Sequence, residues 1–239
     1  MEPELTLVMT SEHAEPLPSS EARISHCDRG YLHGESVYET LRTYHARPFS
    51  LEEHLARLAT GLHRMGFASL SLAPSLADIA GKIGELAAAR APQESLLRVQ
   101  VSRGAHFPGA SSSIRGEDSP RWALFAGPLP PFVAAIYERG VRAILSVRPR
   151  WNPGGYLPAV KFAANPELAL AKAEAKRAGA FEAILCSPSG ELAEGASSNL
   201  FLVREKKVVT PHLATGILDG VTRARVLALC SKAGLKSVE

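Results

Sequence analysis

Cysteine is scarce in this 239-residue chain: Cys27, Cys186 and Cys230 are odd in number and far apart. That pattern suits free thiols in a reducing cytoplasm better than a disulfide framework. No uninterrupted apolar run approaches the length needed to cross a bilayer. The opening MEPELTL lacks both a cationic start and a long apolar core, so no export signal is expected. Charge of one sign is also missing. A net charge of +3 with acids and bases interspersed leaves no basic stripe for nucleic acid. The motifs G-x-G-x-x-G, G-x-x-x-x-G-K-[ST] and G-x-S-x-G are absent, and the histidines form neither H-E-x-x-H nor a Cys/His set with zinc spacing. Dinucleotide, P-loop and serine-hydrolase chemistries therefore have no sequence support, and no metal site is expected. What remains is 46% apolar and 21% charged residues, the balance of a globular chain large enough for one or two cores.

Periodicity divides the chain. Ser36 to Tyr44 (SVYETLRTY) alternates as a half-buried strand does. In SLEEHLARLATGLHRM, Leu51, Leu55, Leu58, Leu62 and Met65 form one apolar helical stripe. Ser50 with Glu53 reads as its capping box, and Arg57 lies off the stripe near His54 and Arg64. A second helix is predicted from about Ser75 to Arg90, then strands at Leu96 to Ser102 and Trp122 to Ala126. Gly104 to Pro120, rich in Gly, Ser and charge, reads as a mobile loop between those strands. The run GPLPP (Gly127 to Pro131) marks a boundary, dividing a first domain, 1–127, from a second, 128–239. The second is predicted to hold a helix to Arg139, strands at Val141 to Val147 and near Lys161, and a helix capped by Asn165 with Pro166 at its first position. Strands at Phe181 to Cys186, Asn199 to Val203 and Lys207 to Thr210 follow, then a helix from near Gly220 to before Gly234.

Three groups in the second domain form a chemically coherent set. Lys161 ends an apolar stretch, LPAVKF, a setting that favours a nucleophilic amine. Glu194 sits in ELAEGASSN between two predicted strands, and Gly220-Val221-Thr222 opens a helix whose free N–H groups suit an anion. An amine for an aldehyde, an acid for a ring nitrogen and an N–H cradle for a phosphate are what pyridoxal phosphate requires. Each alone has a plainer reading: a surface lysine, a turn acid, an ordinary helix start. Ser197, Ser198 and Asn199 fit ring or phosphate contacts and equally fit turn formation. Asp219 is awkward beside a phosphate and serves better as an N-cap; Arg57 is the candidate cation for the phosphate, against the plain reading of a solvent-facing arginine.

Taken in order, DRGYLHGESVYETLRTYHARPFSLEEHLARL (Asp28 to Leu58), VKFAANPELALAKAEA (Val160 to Ala175), FEAILCSPSGELAEGASSNLF and TGILDGVTRARV resemble the class IV, or fold-type IV, pyridoxal-phosphate enzymes. That group contains branched-chain and D-amino-acid aminotransferases and 4-amino-4-deoxychorismate lyases. The resemblance implies an α/β (α+β) fold of two domains, the smaller N-terminal one α/β and the larger C-terminal one a mixed, barrel-like sheet domain with helices that bears the lysine. It implies that Lys161 is the Schiff-base lysine and proton shuttle, and that Glu194 holds the pyridine nitrogen. Arg57 and the Val221 and Thr222 N–H groups, with the Thr222 hydroxyl, would take the phosphate. His33 and Tyr38 match substrate-facing positions, and Thr40 matches the substrate-side threonine of the lyases. It also implies a homodimer.

Three departures accompany the resemblance. Asn165 and Pro166 stand where a tyrosine often follows the lysine, and RGAHFPGASSS carries neither the Arg-x-His clamp of the D-amino-acid enzymes nor the lyase GRGY. The resemblance also leads one to expect further residues after GLKSVE, so the second domain is expected to be shortened or to lack its last part. The function implied first is an aminotransferase moving an amino group from an amino acid to a 2-keto acid by a ping-pong route. A 4-amino-4-deoxychorismate lyase is the alternative, and a non-catalytic homologue the third reading.

Overall fold

The computed structural model describes residues 6–67, 75–105, 119–130, 134–150 and 160–239. Most of the loop expected at Gly104 to Pro120 lies outside them. The chain forms two compact units, residues 1–131 with 160–164, and residues 132–159 with 165–239. The segment carrying Lys161 thus groups with the first unit, not the second as the sequence division had it, and the second unit spans fewer residues than the first.

In the first unit, β1 (Leu7–Thr10), β2 (Leu17–Pro18), β3 (Ser36–Tyr44), β4 (Arg47–Pro48), β5 (Ser95–Ser102) and β6 (Arg121–Pro128) form one sheet in the order β2-β1-β6-β5-β3-β4. Neighbouring strands are antiparallel throughout. Alternation sets its faces. Val37, Leu41, Leu97, Val99, Val101, Leu124 and Ala126 are buried on one side, where α2 (Leu51–Arg64) and α3 (Leu76–Ala88) pack. Those helices contribute Leu58, Leu62, Ile79, Ile83 and Leu86, each buried. Such a side chain gains about 1.5–3 kcal/mol by leaving water. On the other face Tyr38, Thr40, Arg98 and Gln100 are half-buried.

Helix ends diverge from expectation in an informative way. Ser75 and Asp78 make the reciprocal capping box that starts α3. Ser50 does not cap α2, because its backbone is left-handed (φ 54°) and makes no side-chain cap bond. The Asp28-Arg29-Gly30 turn is the start of a short helix, α1 (Arg29–His33), with the Asp28 carboxylate accepting from Gly30 N–H.

The second unit contains α4 (Ala134–Arg139), β7 (Ala143–Pro149), α5 (Pro166–Arg177), β8 (Glu182–Cys186), β9 (Leu192–Gly195), β10 (Leu202–Arg204), β11 (Lys207–Val209), α6 (Val221–Lys232) and β12 (Lys236–Val238). Strands β7, β8 and β9 form one mixed sheet, and β10, β11 and β12 another. The alanine face of α5 (Ala171, Ala175) packs on Ala183 and Leu185 of β8 and on Ala196. Pro166 takes the first helical position, but the Asn165 side chain makes no cap bond. Glu194 lies on β9, not between strands. No helix of the described residues is long and apolar enough to cross a membrane, and the three cysteines are free thiols.

Candidate active site

Lys161 is fixed by sheet pairing. Tyr38 N–H donates to the Lys161 carbonyl at 3.0 Å, Ala163 N–H donates to the Ser36 carbonyl at 3.1 Å, and Phe162 bridges to Val37. The segment therefore extends the free edge of β3. Strand alternation puts Phe162 on the helix-covered face with Val37 and turns Lys161 to the face of Tyr38. Lys161 Nζ lies 5.0 Å from the Tyr38 ring centre, and the Arg98 guanidinium 3.7 Å from it. Burial pulls Arg98 below the usual guanidinium value, with Tyr38 opposing the shift. Thr40 pairs with Arg98 across the ladder, on the same face. His33 ends α1 exposed, next to Gly34, whose left-handed backbone (φ 70°) lies against Ala164.

Arg57 is oriented by a separate partner. From α2 it reaches the helix-covered face and grips Glu39 with two bonds, Nε to Oε1 and Nη2 to Oε2, both 2.7 Å. His54 Nδ1 lies 2.8 Å from the same carboxylate. Glu39 has no exposure at all. Burial would raise its pKa, but the hydrogen bonds and charges of Arg57 and His54 outweigh that and hold it below the usual carboxylate range. Arg57 is thus not the solvent-facing arginine of the plain reading.

In the second unit, Glu194 is buried and both its oxygens are engaged. Oε1 accepts from Arg150 Nε at 2.7 Å, and Oε2 from Leu218 N–H at 3.1 Å. Asn199 Nδ2 donates to the Leu218 carbonyl at 3.2 Å. Its Oδ1 crowds Gly220 so closely that a Cβ there would lie 1.8 Å away. Gly220 is the N-cap of α6 and supplies no side chain to the N–H groups of its first turn, at Val221 and Thr222. Asp219, exposed and 4.0 Å from Arg223, precedes the N-cap position instead of occupying it. Ser197 and Ser198 are exposed and both donate to Glu182 Oε2 at 3.0 Å. Their hydroxyls serve the turn.

The structure brings together Lys161, Tyr38 and Thr40 in one unit, and Glu194, Asn199 and the α6 N-terminus in the other. Sequence reasoning missed Arg98, Glu39, His54, Arg150 and Glu167. A glutamate at an inward position of an alternating strand was a legible signal for Glu39. Arg150 gave none, because its partners lie 17 and 44 residues away. Among the described residues no group of three or more His, Cys, Asp or Glu could hold a metal.

The profile of the family described as amino-transferase class IV matches residues 36–239. A D-alanine aminotransferase of Bacillus licheniformis is 31% identical over 230 residues, 92% of this chain and 74% of that protein. An aminodeoxychorismate lyase of Bacillus subtilis is 28% identical over 92% of this chain and 73% of its own length. The crystal structure of a branched-chain amino acid aminotransferase of Escherichia coli superposes with a TM-score of 0.86 at 23% identity, over 99% of this chain and 77% of that one.

Proposed function

Because this chain belongs to the class IV aminotransferase family, we propose that it is a pyridoxal-phosphate-dependent aminotransferase acting on an amino acid and a 2-keto acid, working as a homodimer. The observation that carries the reading is the placement of Lys161: pinned to β3 through its backbone, with its amine beside the Tyr38 ring. The residues fit the cofactor. A carboxylate has about four lone-pair sites and Glu194 uses two, leaving room for a ring N–H. The N-cap of α6 is a glycine that Asn199 forces to stay one, so the cap residue places no side chain over the first-turn N–H groups, the form expected of a phosphate cradle.

When bound, pyridoxal phosphate supplies an aldehyde that condenses with amines and a ring that withdraws electrons from the bond being broken. Lys161 Nζ is the residue that takes the proton from the substrate Cα. Tyr38 walls one side of that amine with an aromatic face, and Arg98 above the same ring adds a cation suited to a substrate carboxylate. Glu194 would hold the ring nitrogen and Val221 and Thr222 the phosphate, with Arg57, oriented by Glu39, as their cation and His33 at the substrate rim.

Lys161→Ala is expected to abolish turnover while melting within a few degrees of the parent. Retained turnover would remove Lys161 from the chemistry. A second reading, aminodeoxychorismate lyase, is supported by Thr40 beside Arg98 on the Tyr38 face and by the similar Bacillus subtilis lyase. Amino acid added without a keto acid separates the two. A transaminase stops after one half-reaction with its bound cofactor aminated, seen as loss of the visible absorbance; a lyase releases pyruvate from aminodeoxychorismate and needs no such step.

A further inference from the structure

We infer that Arg150 is a positioning residue for Glu194, and that Glu167 sets the charge with which Glu194 meets its ligand. The inference rests on the reading of Glu194 as the partner of the cofactor's ring nitrogen. Arg150 is anchored at both ends: its N–H donates to the Cys186 carbonyl at 2.6 Å, and its guanidinium is divided between two carboxylates. Nε meets Glu194 Oε1 at 2.7 Å and Nη1 meets Glu167 Oε1 at 2.5 Å. Side-chain exposures of 12% for Arg150, 21% for Glu167 and 7% for Glu194 keep these charges largely out of water, where an ion pair acts most strongly. Glu167 sits in the first turn of α5, where the helix dipole favours its negative charge.

The consequence is arithmetic in charge. Glu194 and Arg150 alone would sum to zero and would hold a protonated ring nitrogen poorly. Glu167 restores one net negative charge, giving the alternation acid, base, acid that a pyridinium would complete. With Leu218 N–H on its other oxygen, Glu194 is oriented from two sides before any ligand arrives.

Charge and geometry predict opposite effects for the two partners. The protein is loaded with pyridoxal phosphate labelled with 15N at the ring, and the pH at which that nitrogen loses its proton is read from its chemical shift. Glu167→Gln is expected to lower that midpoint by about one pH unit, because Arg150 then opposes Glu194 unbalanced. Arg150→Met is expected to raise it and to weaken cofactor binding about tenfold, through loss of the charge-assisted bond that orients Glu194. Arg150→Lys keeps the charge and should leave the midpoint near the parent value, so a poorly folded methionine variant still leaves two readouts. Midpoints that stay fixed in both Glu167→Gln and Arg150→Lys while Arg150→Met melts early mean a purely structural ion pair, and overturn the inference. So does movement of Glu167→Gln and Arg150→Met in the same direction. Glu194→Gln separates this failure from that of the underlying reading: if it too leaves the midpoint unmoved, Glu194 does not face the ring nitrogen at all.

Discussion

The Glu39 carboxylate has no solvent exposure and faces the Arg57 guanidinium and the His54 ring, so its charge and the stability of the first unit are linked. Its folded-state pKa is depressed, which means the unfolded chain takes up the proton first. The stability this group contributes is therefore complete above the ordinary carboxylate range and drains away as pH falls through the folded-state value. Glu39→Gln should cost about 3–5 kcal/mol at neutral pH, the effect of breaking a buried pair from one side. It should also flatten this part of the acid limb in thermal melts between pH 3 and 7; an unaltered acid limb would show that Glu39 is not the group responsible. Arg57→Ala strands the same carboxylate, so lost stability alone says nothing of phosphate. Pyridoxal, which lacks the phosphate, supplies the control. Arg57→Ala should weaken retention of pyridoxal phosphate by about 1.5–3 kcal/mol, from a lost charge-assisted bond, and leave the affinity for pyridoxal nearly unchanged. Equal weakening of both would assign Arg57 to the fold only.

Elements carry the site through their ends and edges. Gly34 closes α1 in a left-handed conformation and accepts the lysine segment so closely that a Cβ would lie 2.4 Å from the Ala164 Cβ. Gly34→Ala pays a left-handed backbone penalty of about 1–2 kcal/mol and must also push residues 160–164 from the edge of β3. Lower thermal stability together with slower formation of the Lys161 bond to pyridoxal phosphate is expected, read as the growth of visible absorbance. Parent-like growth would mean that the segment docks without this glycine. At this scale the sequence was a good guide where periodicity is long: β3, α2, α3, β5, β6, α5 and α6 lie within a few residues of expectation. It was poor where an element is short or its end is set from outside. β9 is four residues whose strand state comes from pairing with β8. Ser50 has the right chemistry for a cap and the wrong backbone angle. Asn199 reads equally as a ring or phosphate contact and as a turn former from its neighbours alone; in the structure it holds the loop before α6 through Leu218.

For the whole molecule, what was legible was chemistry in linear order: an amine beside β3, an acid on β9 and the N-terminus of α6. What was not legible was the wiring across long sequence separations. The Glu39–Arg57–His54 cluster, the Arg98–Tyr38 stack and the Arg150 pairs form only once the sheet and helices bring distant residues together. The grouping of residues 160–164 with the first unit has the same origin, since edge pairing on β3 outweighs chain continuity. The two units also differ in how they are filled. The first has a core of Leu, Ile and Val between sheet and helices, whereas the buried cluster under α5 consists of Leu185 and four alanines. Leu185→Ala should therefore leave a cavity that the partly buried Ile144 and Leu168 beside the cluster fill only in part, at a cost of about 3–5 kcal/mol. That is a large share of the 5–15 kcal/mol typical of a folded domain. Because each unit has its own core, the loss should be local: amides of α5 and β8 should exchange hydrogen faster while those of β5 and β6 keep parental protection. Equal loss of protection in all four elements would mean that the chain opens as a single cooperative body, with Leu185 supporting the Lys161 segment as much as its own sheet.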